Sequence, residues 1–148
     1  MRFLKSSEKK KLIKELEENF GILKLDYLLI ETGKQKIRGF SGTMTKEEIK
    51  ELSEIANVEI IGIYLFRREG NLRLSLDGTH LLKKQMTKNI IEISDKEIEL
   101  WLHGKNLEIV KDRGVYAIRY KDDFIGCGIS DGKKIINYVP KERRIRRG

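Results

Sequence analysis

Three short β-prone runs near the end of the chain, residues 115–120, 124–129 and 134–139, are joined by turns at Asp122-Asp123 and Asp131-Gly132. Asp and Gly at these positions mark turns between short strands. Immediately before them, Ser94 with Glu97 three residues on forms a capping box. It opens a helix whose inner face is Ile98, Trp101 and Leu102 and whose stop is Gly104. One helix and several tightly turned strands predict a small, partly closed β-barrel.

The first half of the chain has a different rhythm. Leu12, Ile13, Leu16 and Phe20 recur at helical spacing between a cap at Ser6 or Ser7 and a left-handed stop at Gly21. Residues 27–31 and 36–40 read as a hairpin turning at Thr32-Gly33-Lys34, loosened at its end by Gly39 and Gly42. Thr45 with Glu48 caps a second helix, with Ile49, Leu52, Ile55 and Ala56 on its apolar face. A strand over 58–67 turns at Arg68-Glu69-Gly70-Asn71 and returns with Leu72, Leu74 and Leu76 on one side and Arg73 and Ser75 on the other. Asp77 is expected to cap a helical turn that marks the change of domain, and Asn89–Ile93 opens the second half as a strand. The fold class is therefore α+β, with domains at 1–76 and 77–148. No Pro- or Ser-rich linker separates them, so the halves are expected to pack together.

Charge narrows the function classes. The chain carries a formal net charge of +8, and residues 101–148 hold twelve Lys or Arg against six Asp or Glu. A charge-rich surface of the kind common in thermophiles accounts for the charged content but not for that asymmetry, which points to a polyanionic partner. No apolar run has the length of a membrane span, and the single cysteine follows no secretory signal, so a cytoplasmic protein without membrane contact is expected.

Catalysis finds little support. His80, His103 and Cys127 have no metal-ligand spacing, and Cys127 between two glycines in an apolar strand reads as a small buried hydrophobe. Asp122-Asp123 reads as a turn. Gly126-Cys127-Gly128 begins a dinucleotide fingerprint, but no helix follows it and Asp131 occupies the place of the third glycine. No catalytic residue, metal or cofactor is expected.

RNA binding has more residues behind it. Lys141, Arg143, Arg144, Arg146 and Arg147 face only Glu142, enough cations to hold several phosphates, and Tyr138 beside Pro140 offers a stacking face. Gly104 and Lys105 can meet a phosphate or a base edge with backbone N–H groups and an ammonium. Arg67 and Arg68, with Arg73 across the turn, extend the surface, or else they serve ordinary cross-strand pairing with Glu69. Arg119, Lys133 and Lys134 complete the candidate set.

Trp101-Leu-His-Gly-Lys-Asn-Leu, Phe124-Ile-Gly-Cys-Gly and Asn137-Tyr-Val-Pro-Lys-Glu-Arg-Arg resemble the C-terminal region of Sun-type RNA cytosine-5 methyltransferases and of small ribosome-biogenesis proteins related to them. The resemblance covers residues 77–148 and implies a PUA-type pseudo-barrel. Residues 1–76 more loosely resemble the pre-PUA domain that precedes it. The resemblance implies binding of structured RNA, rRNA or tRNA, through the helix and glycine loop and without the catalyst, because the Pro- and Thr-flanked cysteines of those enzymes have no counterpart here. An RNA-modifying enzyme or a ribosome-assembly factor is then the expected protein partner. The alternative is a protein-interaction subunit whose basic tail is incidental. In composition the chain also resembles archaeal proteins.

Overall fold

The computed structural model describes residues 1–33, 35–41, 44–56 and 62–145. It is an α+β fold with two sheets. The first sheet is wholly antiparallel and runs in the order of the chain: β1 (Arg2–Phe3), β2 (Leu28–Thr32), β3 (Lys36–Phe40), β4 (Ile63–Glu69) and β5 (Asn71–Leu74). Two helices accompany it, α1 (Ser6–Phe20) and α2 (Lys46–Ile55). The second sheet is β6 (Ile90–Glu92), β7 (Gly114–Tyr120), β8 (Asp123–Ser130) and β9 (Ile135–Asn137). β6 runs parallel to β7, because helix α4 (Asp95–Leu102) and the chain after it carry the connection across. A bridge from Leu107 to Ile135 extends the β9 edge. Between the sheets lies the short helix α3 (Leu76–Leu81).

Apolar spacing decides where α1 goes. Leu12, Leu16 and Phe20 are fully buried and join Leu65, Leu74, Ala117, Phe124 and Cys127 in one core cluster, so both halves of the chain share it. A second cluster gathers Ile91, Ile93, Trp101, Leu107, Ile118, Ile135 and Val139 beneath α4. Trp101 lies entirely out of solvent and donates its indole N–H to the Ile125 carbonyl at 2.9 Å, which satisfies the one polar atom its burial would otherwise strand. Thr79 ties α3 to the second sheet by accepting the Gly126 N–H at 3.0 Å.

Several local expectations need correction. The cap of α1 is Lys5, whose N–H is held by the Glu8 carboxylate at 3.0 Å, rather than Ser6 or Ser7. Arg2 grips the same carboxylate at 2.7 and 2.8 Å and holds Glu8 down to about 2. The strand 71–74 ends before Leu76, because the Ser75 hydroxyl accepts the Gly78 N–H at 2.9 Å and starts α3; Ser75, not Asp77, is the cap. The 76/77 boundary thus falls in the first turn of that helix. On α2 only Ile49 is buried, while Ile55 is 84% exposed at the helix end. The strand expected over 58–67 is seen over Ile63–Glu69; residues 57–61, like Gly42, lie outside the described residues.

Candidate nucleic-acid interface

The C-terminal segment is organised by the end of α4. Its start is capped as the sequence predicts, with Ser94 and Glu97 exchanging bonds, and its end turns at Gly104, where φ is +84°. Glycine is needed there twice over. A side chain would strain the left-handed backbone, and its Cβ would lie 2.4 Å from Arg144 Nε. Asn137, buried at the end of β9, clamps this turn: its amide donates to the Trp101 and Lys105 carbonyls at 2.8 and 2.9 Å, and its oxygen accepts the Val139 N–H at 2.7 Å. Beyond it a 3-10 turn, Lys141–Arg143, doubles the chain back. Arg144 Nε donates to the Val139 carbonyl at 2.9 Å, and the Ile145 N–H to Leu102 at 2.8 Å. The basic segment is therefore a built ridge through Ile145.

A cleft lies on each side of this ridge. The first, about 650 Å3, is bordered by Lys96, Glu99, Leu100, His103, Lys105, Lys141, Arg144 and Ile145. It joins Lys105 of the glycine loop to Lys141 and Arg144 of the tail, residues the sequence reading grouped without knowing that they meet. Lys96 was not foreseen; only the helical turn separating it from Leu100 brings it to the rim.

The second cleft, about 380 Å3, opens between the two sheets. One wall is β3 and β4 with the end of β5, and the other is the segment from Asn137 to Arg144. Strand register sets its chemistry: Lys36 stands opposite Arg67, and Arg67 opposite Arg73, so three cations form a row across three strands. Like charges directly opposite one another are destabilising. Glu69 offsets part of this, 2.9 Å from Arg67 and 3.9 Å from Arg73, so the pairing with Glu69 read from the sequence is present. Arg67 Nε remains buried with no hydrogen-bond partner among the described residues, an arrangement that typically costs about 1–3 kcal/mol. Arg73 lies 4.0 Å from the centre of the Tyr138 ring, and Lys36 5.0 Å from that of Tyr64. Burial pushes the Tyr64 phenol up, against the opposing pull of Arg73, Arg67 and Arg38. Lys36 and Tyr64 escaped the sequence reading because only the β3–β4 pairing sets them beside Arg67.

Arg68, Arg119, Lys133 and Lys134 lie apart from both clefts. Arg68 turns to α1 and is held by Glu15 at 2.8 and 3.3 Å. Arg119 pairs with Glu92 and lies over the Phe124 ring. Lys133 and Lys134 sit in the β8–β9 turn, where the Asp131 carboxylate accepts both backbone N–H groups at 2.9 Å; β9 separates them from Tyr138. Arg143 reaches the second cleft but is paired with Asp77 at 3.2 Å. Arg146 and Arg147 lie outside the described residues.

Cys127 is buried, and burial pushes its thiol up to about 12, far from a reactive thiolate. His103 Nδ1 bonds the Glu99 carbonyl at 2.7 Å, and His80 is exposed on α3. No group of three or more His, Cys, Asp or Glu among the described residues could hold a metal ion. No described helix is long and apolar enough to cross a membrane.

A mixed sheet carrying one capped helix, a glycine turn and a returning C-terminal segment is consistent with a PUA-type domain, a class of fold that implies RNA binding. Residues 88–145 match the family model described as the methyltransferase RsmF PUA domain, so this region resembles the C-terminal region of Sun-type methyltransferases. No curated protein matches the chain.

Proposed function

We propose that this chain binds structured RNA, of the rRNA or tRNA class, and presents it during ribosome assembly or RNA modification while a partner enzyme supplies the chemistry. One observation carries the reading: the basic segment is folded against the Gly104–Lys105 turn by Asn137, Arg144 and Ile145, so that Lys105, Lys141 and Arg144 border one cleft. Convergent cations on a rigid scaffold are what phosphate contacts require, and such contacts position a protein on its RNA. The buried thiol of Cys127 supports leaving catalysis to a partner. Residues 1–76 are proposed as a pre-PUA-like domain and residues 77–148 as the RNA-binding one.

Filter binding of the protein to tRNA and to rRNA fragments across a salt series tests this. Lys105→Ala and Lys141→Ala should each weaken binding and flatten the slope of log K against log salt by roughly 0.7–0.9 per lost phosphate contact. A wild-type protein that retains no RNA at any salt concentration would sink the proposal and favour a protein-interaction subunit.

A further inference from the structure

The cleft between the two sheets lies across the basic ridge from the glycine turn. We propose that it is a pocket for a single unpaired nucleotide of an RNA strand, with the base stacked on Tyr138 and the phosphate held by the row Lys36, Arg67 and Arg73. The inference rests on the RNA-binding reading but uses a different surface. Its volume, about 380 Å3, suits one small ligand moiety, within the roughly 300–1,000 Å3 usual for such sites. The three cations of the row stand opposite one another across the strands, and among the described residues Glu69 is the carboxylate that pairs with two of them, so an anion placed over the row relieves repulsion built into the sheet.

The aromatic groups make the preferred anion a nucleotide. Tyr138 keeps 39% of its surface exposed while Arg73 lies against its ring, and Tyr64 lines the opposite wall. A phosphate needs cations only; a base needs a π-face, which is sequence-tolerant because every base offers one in return. Duplex RNA keeps its bases stacked and offers none to a pocket of this size. Single strands and unpaired loops do.

Fluorescence anisotropy with a labelled six-nucleotide single strand, and with a duplex of the same sequence, tests this on the full chain. Tyr138→Leu should weaken the single strand by roughly 5- to 150-fold, the range expected for one lost base–aromatic stack, and Tyr138→Phe should restore it. Duplex affinity should change far less. Lys36→Glu, from the opposite wall, should give the same selective loss and keeps the test decisive if Tyr138→Leu does not fold. Unchanged single-strand binding in folded Tyr138→Leu, with binding lost in Lys105→Ala, would overturn the pocket and leave the glycine-turn surface standing. Competition by uridine 5′-monophosphate as strong as that of the strand would overturn it in favour of a free nucleotide. Absence of any RNA binding by the wild type would overturn this inference together with the reading it rests on.

Discussion

Replacing Asn137 by alanine is expected to loosen a junction through which helix α4, the glycine turn and the basic ridge are joined. The side chain makes three bonds, to the carbonyls of Trp101 and Lys105 and from the Val139 N–H, at 2.7–2.9 Å, and it is 9% exposed, so water does not readily replace them. At a net contribution of about 1 kcal/mol each, rising where a buried partner is stranded, the loss is roughly 3–5 kcal/mol. For a chain of this size each kcal/mol lowers the melting temperature by roughly 2–4 °C, so the midpoint should fall by about 6–20 °C. Calorimetry reads this directly. Asn137→Asp sharpens the test: it preserves the acceptor for Val139 but turns a carboxylate oxygen toward two carbonyls, so near neutral pH it should be at least as destabilising as alanine despite its closer shape. A drop below about 1 kcal/mol for alanine, or an aspartate variant clearly more stable than the alanine one, would refute the assignment of Asn137 as the clamp.

The remaining predictions concern the core, the sulfur and the acid limit. Trp101→Ala should cost on the order of 3–5 kcal/mol, because the ring is fully buried and its loss also strands the Ile125 carbonyl; a nearly unchanged melt would contradict its place in the core. Gly128→Ala should destabilise by about 1–3 kcal/mol, since its Cβ would meet Ile135 Cγ2 at 2.5 Å and Trp101 Cη2 at 2.9 Å; denaturant titration measures it. Cys127 should resist alkylation at pH 8 until the protein opens. Its folded pKa lies above the unfolded value near 9, so its contribution to stability is intact below that pH and lost as pH rises toward about 12, which alkaline melts follow. Glu8 runs the other way: held by Arg2 at about 2, its contribution is present above an unfolded pKa of 4.5 and lost as pH falls through about 2. Carboxyl NMR titration should show that depressed midpoint, and Arg2→Ala should return it toward 4.5.

Much of the architecture was legible because its signals are local. The Ser94–Glu97 box, the stops at Gly21 and Gly104 and the hairpin of β2 and β3 each depend on residues three or four positions apart, or on a glycine where the backbone turns left-handed. Trp101 in the core and Cys127 as a buried thiol followed from apolar spacing alone. Cap choices one or two residues away from those expected reflect competition among nearby polar side chains: Glu8 reaches back to Lys5, and Ser75 wins over Asp77. The basic tail was visible as composition, but its course was not. Only the tertiary structure seats Arg144 over Gly104, hands the Ile145 N–H to Leu102 and hangs both on Asn137. The same holds for the row Lys36, Arg67 and Arg73, drawn from strands up to thirty-seven positions apart, and for Arg68 and Arg119, which pair with Glu15 and Glu92 instead of joining it. Helix starts, turns and buried faces are written in near neighbours; which charges share a cleft depends on strand register and on the packing of one sheet against the other, and no stretch of chain carries that by itself.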